Sequence, residues 1–176
     1  MEPLRDAMGV PLIVVSGHDD KLAAINTALR EAGHAVHCRR VDEPAALEEA
    51  IAEHQPELVL VFADEPELDL TGLSGAIFRR NLPLPVIIVR QQVSERTIAE
   101  AVAAGARDVV SLEYRGRLQA VVERELRTRR LQAALDGVLS SASQYKQELR
   151  NLMQGATEAI ADVQEGIIIA ANPAWL

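Results

Sequence analysis

The chain has one cysteine and no long apolar run. Because Cys38 has no second cysteine to pair with, a disulfide within the chain is excluded, and its place in AVHCRRV is typical of a strand rather than of a reactive site. No apolar stretch approaches the ~20 residues that a membrane-spanning helix needs. The first residues also lack the pattern of a signal peptide. We therefore expect a cytoplasmic protein that is neither secreted nor inserted into a membrane.

Positive charge is scarce. Lysine and arginine number 18 against 26 acidic residues, so the net charge is −8. This balance argues against a general electrostatic attraction to nucleic acid or anionic lipid. Hydrophobic residues make up 48% of the 176 residues, which is enough to bury one full core. We expect one globular domain, with length left over for an extension.

Motifs for phosphate, metal or cofactor binding are missing. The first apolar run is followed by SGHDDK, which has a single glycine and not the glycine-rich pattern that holds phosphates. The four histidines, at positions 18, 34, 37 and 54, do not have the spacing of metal ligands. We expect no metal and no cofactor. A flavodoxin-like enzyme would need a nucleophile, a base or a cofactor loop that this sequence does not offer.

Five short apolar runs alternate with segments of helical period. They are PLIVV (11–15), AVHCRRV (35–41), LVLVF (58–62), PVIIV (85–89) and DVVSL (108–112). The first, third and fourth are too uniformly apolar for a sheet with one face in water. The pattern predicts a doubly wound α/β domain whose five-stranded parallel sheet has the order 2-1-3-4-5.

The helix boundaries follow from capping residues. Asp19 or Asp20 is expected to cap the first helix. A weaker helix is expected over 73–80, and Ser94 is expected to cap a later one. The residues that this later helix is predicted to bury are Ile98, Ala101 and Val102.

The segment after Tyr114 predicts one helix much longer than the others, because it continues without proline into the 150s. Its first turns carry an apolar face for the domain, formed by Leu118, Val121, Val122 and Leu126. Further along, seven residues are separated alternately by four and three positions, which is the heptad spacing of a coiled coil. We call them the seam: Leu131, Leu135, Val138, Ala142, Tyr145, Leu149 and Leu152.

A narrow seam with polar flanks cannot be buried by a lone helix. The simplest partner is a second copy of the chain, so we predict a homodimer, parallel or antiparallel. The alternative is that the helix folds back onto its own domain, although a foldback usually has a wider apolar face. Gly137, which costs ~1 kcal/mol of helix propensity, and the small Ala142 weaken the coiled coil locally.

Six arginines near the start of this helix form a locally basic face, with three glutamates among them. We expect pairing with the glutamates at i,i+4 spacing, and the alternative is a surface for a partner or nucleic acid. The arginines are at 115, 117, 124, 127, 129 and 130, and the glutamates at 113, 123 and 125.

The C-terminal stretch AIADVQEGIIIAANPAWL has two strand-like runs on either side of the turn-prone QEG. Asn172 and Pro173 are a cap and a first residue that can start a helix. Because this stretch is too short to form a core, we expect the chain to be the N-terminal part of a longer protein.

The order of these elements resembles the CheY-like receiver family over about residues 10–128. The strings LIVVSG, EAGHAV and ELVLVFADEP match the first half without gaps, and PVIIVRQ and AAGARDVVSLE match the fourth and fifth strands. Pro66 matches the proline that usually follows the phosphoacceptor of a receiver.

Receiver chemistry needs two acids after the first strand and an aspartate after the third to hold Mg²⁺, with a Ser or Thr and a Lys for the phosphoryl oxygens. The matching positions here hold Ser16, Gly17, Phe62, Arg90 and Leu112. Since all five differ, the resemblance implies a pseudo-receiver that binds no metal and accepts no phosphate.

Three alternatives stay open at this pocket. Asp64, two residues beyond the acceptor position, is a candidate for atypical phosphorylation, and Asp19 or Asp20 for metal binding. A small ligand is the third alternative. Arg90 can pair with Asp64 or Glu113 and imitate a fixed charge state, or it can be a solvated residue at a strand end.

The end of the chain resembles the opening of a PAS domain. The strings EAGHAVHCRRV, RGRLQAVVERELR and LMQGATEAIADVQEGIIIAANPAWL together resemble the N-terminus of the FimX group of bacterial signalling proteins. That resemblance implies a pseudo-receiver (1–128), a dimerising linker helix (129–157) and the start of a PAS domain (158–176).

In that group GGDEF and EAL domains follow, which handle or bind cyclic di-GMP, and the receiver helps to localise the protein in type IV pilus control. The resemblance implies that this chain is a non-enzymatic module for dimerisation and for docking to an unknown protein, with recruitment to the cell pole. Cyclic di-GMP would bind only through downstream domains that this chain does not contain.

Overall fold

The computed structural model describes residues 9–64, 84–156, 158–159 and 161–175, with the backbone alone described at 44, 45 and 175. The helix expected over 73–80 and the family's proline at position 66 lie outside the described residues. The chain divides into two compact units, Met1–Arg130 and Leu131–Leu176.

The first unit contains a five-stranded sheet with the strand order β2-β1-β3-β4-β5. All neighbouring strands pair in parallel. The predicted fold class and strand order are therefore confirmed, and each of the five apolar runs forms a strand. The strands are β1 (Val10–Val15), β2 (Val36–Val41), β3 (Leu58–Phe62), β4 (Val86–Val89) and β5 (Asp108–Val110).

Helices cover both faces of this sheet. Side chains alternate along a strand, so Leu12 of β1 faces one core cluster and Ile13 faces another. The first cluster is completed by two of the helices, through residues such as Ile25 and Leu118. The second includes Leu47. In the described part of the chain the helices are α1 (Asp19–Glu31), α2 (Pro44–His54), α3 (Glu95–Ala103) and α4 (Arg115–Gly155).

The expected cap of α1 is wrong by one residue. The N-cap is His18, and Asp19 lies in the first turn. The Ser16 hydroxyl accepts a hydrogen bond from the His18 N–H (3.1 Å), which closes the turn early. The Asp19 carboxylate is instead paired with the Arg40 Nε at 2.9 Å.

The cap of α3 is as predicted, but its burial is not. Ser94 and Thr97 exchange hydrogen bonds in a capping box. Val102, expected inside, is 49% exposed, and α3 buries none of its residues. The helix lies against β5, a three-residue strand at the sheet edge, which covers only part of it.

Helix α4 is 41 residues long and changes character along its length. Its first turns bury the four residues predicted for the domain face. All seven seam residues are exposed, the six larger ones by 52% to 72%.

For four arginines of α4 the expected i,i+4 pairing is wrong, because each pairs with a carboxylate on another part of the unit; they are at 115, 117, 124 and 130. Asp108 of β5, which is buried, accepts from Arg117 (2.8 Å) and Arg124 (3.2 Å). Arg124 also pairs with Glu125 at 2.8 Å. Two further pairs join α4 to other parts of the unit, Arg115 to Glu31 at 2.8 Å and Arg130 to Glu57 at 3.1 Å.

The second unit contains an antiparallel hairpin of β6 (Ala161–Gln164) and β7 (Ile167–Ala171). Its turn residues, Glu165 and Gly166, both have positive φ, as in a type I′ hairpin. Asn172 is buried and donates from Nδ2 to the Glu158 carbonyl oxygen at 2.7 Å. The chain then forms a 3₁₀ turn over Pro173–Trp175, where a helix start is expected.

Two histidines meet between β2 and α2, with the ring centroids of His37 and His54 5.1 Å apart. Burial is the main cause that lowers the pKa of His54 below its ordinary value of 6.5, and the charges of His37 and Arg39 lower it further. The nearby Glu53 acts in the opposite direction, but Arg39 holds its carboxylate at 2.7 Å.

We expect the free energy of unfolding to fall as the pH is lowered through 6.5. The unfolded chain takes up a proton at His54 first, because the folded pKa is lower, so the stability present above pH 6.5 decreases until the folded group also titrates. Urea unfolding from pH 8 to pH 5 measures this slope. A His54→Phe variant should flatten it, and an unchanged slope in that variant would contradict the assignment.

Candidate functional site

The five positions that match the receiver pocket come together at one edge of the sheet. In a parallel sheet the carboxyl ends of all strands meet at the same edge. In this sheet β2 lies on one side of β1 and β3 lies on the other, so the strand order reverses at β1. In open α/β sheets, ligands bind at such a reversal. The positions are Ser16, Gly17, Phe62, Arg90 and Leu112, each at or just beyond a strand end.

The two acidic positions after β1 offer no carboxylate. Ser16 is fully buried, and its hydroxyl binds the backbone of His18, accepting from the N–H and donating to the carbonyl (3.3 Å). Asp19 is held by Arg40, which also lies 3.6 Å from Asp42 and donates to the Ser16 carbonyl. Since Arg40 is part of β2, this ion pair holds the Asp19 carboxylate on the side of β1 where β2 lies.

The acceptor position is part of the core. Phe62 ends β3, is 6% exposed and belongs to the first core cluster. The Lys21 ammonium lies 5.7 Å from its ring centroid, within the range of a cation–π contact. A phenyl ring has no atom that can attack phosphorus. Phe62 instead packs against the apolar side chains of the core.

Asp64 links the loops that follow β3 and β4. Its carboxylate accepts a hydrogen bond from the backbone N–H of Gln91 and lies 3.9 Å from the Arg90 guanidinium. Asp64 and Glu113 were the two expected partners of Arg90, and the ion pair is with Asp64. The Asp64 carboxylate, two residues beyond the acceptor position, is therefore paired with the positive charge of Arg90.

The chain of contacts continues to the loop after β5. The carbonyl of Gln91 accepts from the Ser111 hydroxyl (3.3 Å), which in turn accepts from the Glu113 N–H (3.2 Å). Leu112, at the lysine position, is half-buried against the first core cluster. Ser111 is 2% exposed. Sequence reasoning missed Gln91 and Ser111, because a backbone group and a hydroxyl at loop starts carry no pattern.

These residues do not fit the Mg²⁺ that a receiver site holds. Such a cation needs several carboxylate or carbonyl oxygens together. Among the described residues no group of three or more His, Cys, Asp or Glu could hold a metal ion. The single thiol also offers no reactive group, since burial raises the pKa of Cys38 to about 11. Within the described residues, no helix is long and apolar enough to cross a membrane.

We expect Asp64→Ala to speed hydrogen exchange at the Gln91 amide about fivefold, equal to about 1 kcal/mol. The variant removes the acceptor of that amide and the partner of Arg90, and their partial exposure keeps the loss small. Amide exchange followed by NMR measures it. Glu113→Ala, which removes the same charge from an exposed side chain at this edge, is the control, and equal effects of both variants would contradict the link.

The comparisons with known proteins point to one fold. No protein-family model matches the chain, and no curated protein does. The signal receiver domain of a protein described as a Luxo repressor from Vibrio parahaemolyticus matches with a TM-score of 0.62 and 16% identity, covering 72% of this chain and 97% of that one.

Two further solved structures match in the same way. The receiver domain of NtrX from Brucella abortus has a TM-score of 0.55 and 26% identity, over 66% of this chain and 98% of its own. The receiver domain of the Francisella response regulator 1452 has a TM-score of 0.57 and 18% identity, over 68% and 98%. The chain therefore has the fold of the receiver domains of response regulators.

Proposed function

We propose that this chain is a pseudo-receiver module, which keeps the receiver fold for its surfaces and not for phosphorylation. The observation that carries the proposal is at the acceptor position, where Phe62 is buried in the core. The nearby carboxylate of Asp64, the remaining candidate acceptor, is bound by Gln91 and Arg90. A carboxylate held in this way is a poorer nucleophile, because the hydrogen bond from Gln91 and the charge of Arg90 both draw electron density from its oxygens.

The module acts by dimerisation and docking. The exposed seam of α4 supports pairing with a second copy, and the receiver surface is left to bind another protein. The hairpin and Asn172 support the start of a PAS domain after the helix. In this proposal the module positions downstream GGDEF and EAL domains for cyclic di-GMP signalling in type IV pilus control, in the cytoplasm and at the cell pole.

Two measurements on the full chain test this function. Incubation with acetyl phosphate and Mg²⁺ should leave the intact mass unchanged, and a gain of one phosphoryl group at Asp64 would overturn the pseudo-receiver. Sedimentation equilibrium at several concentrations should give a dimer. A monomer would remove the dimerising role and leave the docking role to be carried by the receiver surface alone.

The second candidate function is a switch that responds to a small ligand or to atypical phosphorylation. One observation favours it, since the Arg90 Nε is buried and has no hydrogen-bond partner among the described residues. A bound anion would satisfy that donor. Beryllofluoride with Mg²⁺, or inorganic phosphate alone, should then raise the melting temperature. No shift with either probe argues for the pseudo-receiver.

A further inference from the structure

The seam of α4 can pair with a second copy in two directions, which bring different residues together. By their spacing, Leu135, Ala142 and Leu149 occupy the a positions of the heptads, and the other four seam residues occupy d. In a parallel pair each residue meets its own counterpart. In an antiparallel pair each a residue meets a d residue of the other copy. The sizes of the seam residues distinguish these arrangements.

A parallel pair places the smallest and the largest seam residues badly. Ala142 would meet Ala142 of the second copy and leave a void, and in the next layer Tyr145 would meet Tyr145. Voids and overpacking both destabilise a core. An antiparallel pair centred between residues 143 and 144 sets Ala142 against Tyr145 instead. Its other layers pair Val138 with Leu149 and Leu135 with Leu152, so that no layer contains two small or two aromatic residues.

The flanking charges do not distinguish the two directions. In a parallel pair the flanking residues would be Ser141 with Lys146 and Glu148 with Met153. In the antiparallel register they would be Ser141 with Glu148 and Lys146 with Leu139. Since neither set contains an ion pair, the direction follows from the sizes of the seam residues.

We propose that the seam joins two copies of this chain as an antiparallel coiled coil centred between residues 143 and 144. This inference rests on the dimerisation part of the proposed function and adds the direction and the register. The segment paired within α4, residues 132–155, is about 36 Å long at 1.5 Å per residue, and the first seam residue, Leu131, lies level with Ala156 of the second copy. The chain that precedes the coil is then at opposite ends of the coil in the two copies.

Disulfide cross-linking in the full chain tests the direction. Leu135→Cys and Leu152→Cys are made separately in a Cys38→Ser background, one with a mass tag, and both are oxidised alone and after mixing and subunit exchange. The antiparallel arrangement predicts no cross-link in either variant alone and a cross-linked heterodimer in the mixture. Ser140→Cys, on the outer face of the helix, is the control that should stay uncross-linked in every sample.

Each other outcome has a distinct meaning. Cross-links within each variant alone and none between them would show a parallel pair and overturn the inference, while the dimer of the proposed function stands. A dimer that cross-links in no combination would place the contact elsewhere and also overturn the inference. Sedimentation of the same variants before oxidation separates these results from a monomer, which would overturn the dimerising role itself.

Discussion

Replacing Leu149 by alanine is expected to raise the dissociation constant of the dimer about a thousandfold or more. Leu149 is 59% exposed in the single chain and becomes buried only when a second seam covers it. Each buried Leu→Ala change costs about 2–5 kcal/mol, and a dimer contains the change twice. A loss of at least about 4 kcal/mol corresponds to three powers of ten in the dissociation constant. Sedimentation equilibrium over a range of concentrations measures it.

Gln147→Ala is the matched control for this prediction. Gln147 is exposed on the outer face of α4, two residues from Leu149, and alanine keeps the helix in both variants. The control should leave the dissociation constant within a few-fold of the parent value. If Leu149→Ala behaved like the control, the seam would not be the dimer contact, and a contact on the receiver unit would have to hold the dimer.

Restoring an aspartate at the acceptor position, by Phe62→Asp, is expected to destabilise the protein by about 3–5 kcal/mol without restoring phosphorylation. The ring is 6% exposed in the first core cluster, so its removal leaves a cavity and puts a carboxylate against apolar side chains. Lys21 is close enough to offset only part of this cost. The total stability of a domain is about 5–15 kcal/mol, so much of it would be lost.

Urea unfolding and intact mass after acetyl phosphate with Mg²⁺ check the two parts of this prediction. Phe62→Leu, which keeps an apolar side chain, should cost only about 1 kcal/mol. Ser16, Gly17 and Leu112 still offer neither a metal ligand set nor a lysine, which is why no phosphate is expected. A stable Phe62→Asp protein that gains a phosphoryl group would show that the site lies one substitution from a working receiver.

The strands and the sheet order could be predicted because each depends on local pattern and on chain connectivity. Runs such as LVLVF are apolar on both faces, and this requires a parallel sheet covered by helices, as found for β3. The domain face of α4 was predictable for the same reason, since Leu118, Val122 and their neighbours repeat with the helical period.

The electrostatic contacts could not be predicted, because their partners are far apart in the chain. Arg117 has a glutamate four residues before it, yet it donates to Asp108, which the packing of α4 on the sheet brings to 2.8 Å. Asp64 was a plausible acceptor on sequence alone. Only the closeness of the β3 and β4 loops shows that it is already bound by Gln91.

The sequence by itself determined which side chains stand at the five positions that match the receiver pocket. None of the five is a carboxylate or a lysine, and Phe62, at the acceptor position, carries no group that can attack phosphorus, so the proposed pseudo-receiver rests on the sequence before any packing is known. The heptad spacing likewise predicts the seam without any coordinates.

The tertiary structure decided which contacts form around these five positions. Strand pairing brings three loops within hydrogen-bonding distance, so that Asp64, Gln91 and Ser111 form one chain of contacts between segments separated by 20 residues or more. It also left the seam in solvent. Both facts depend on distances between residues remote in sequence, which only the folded chain determines.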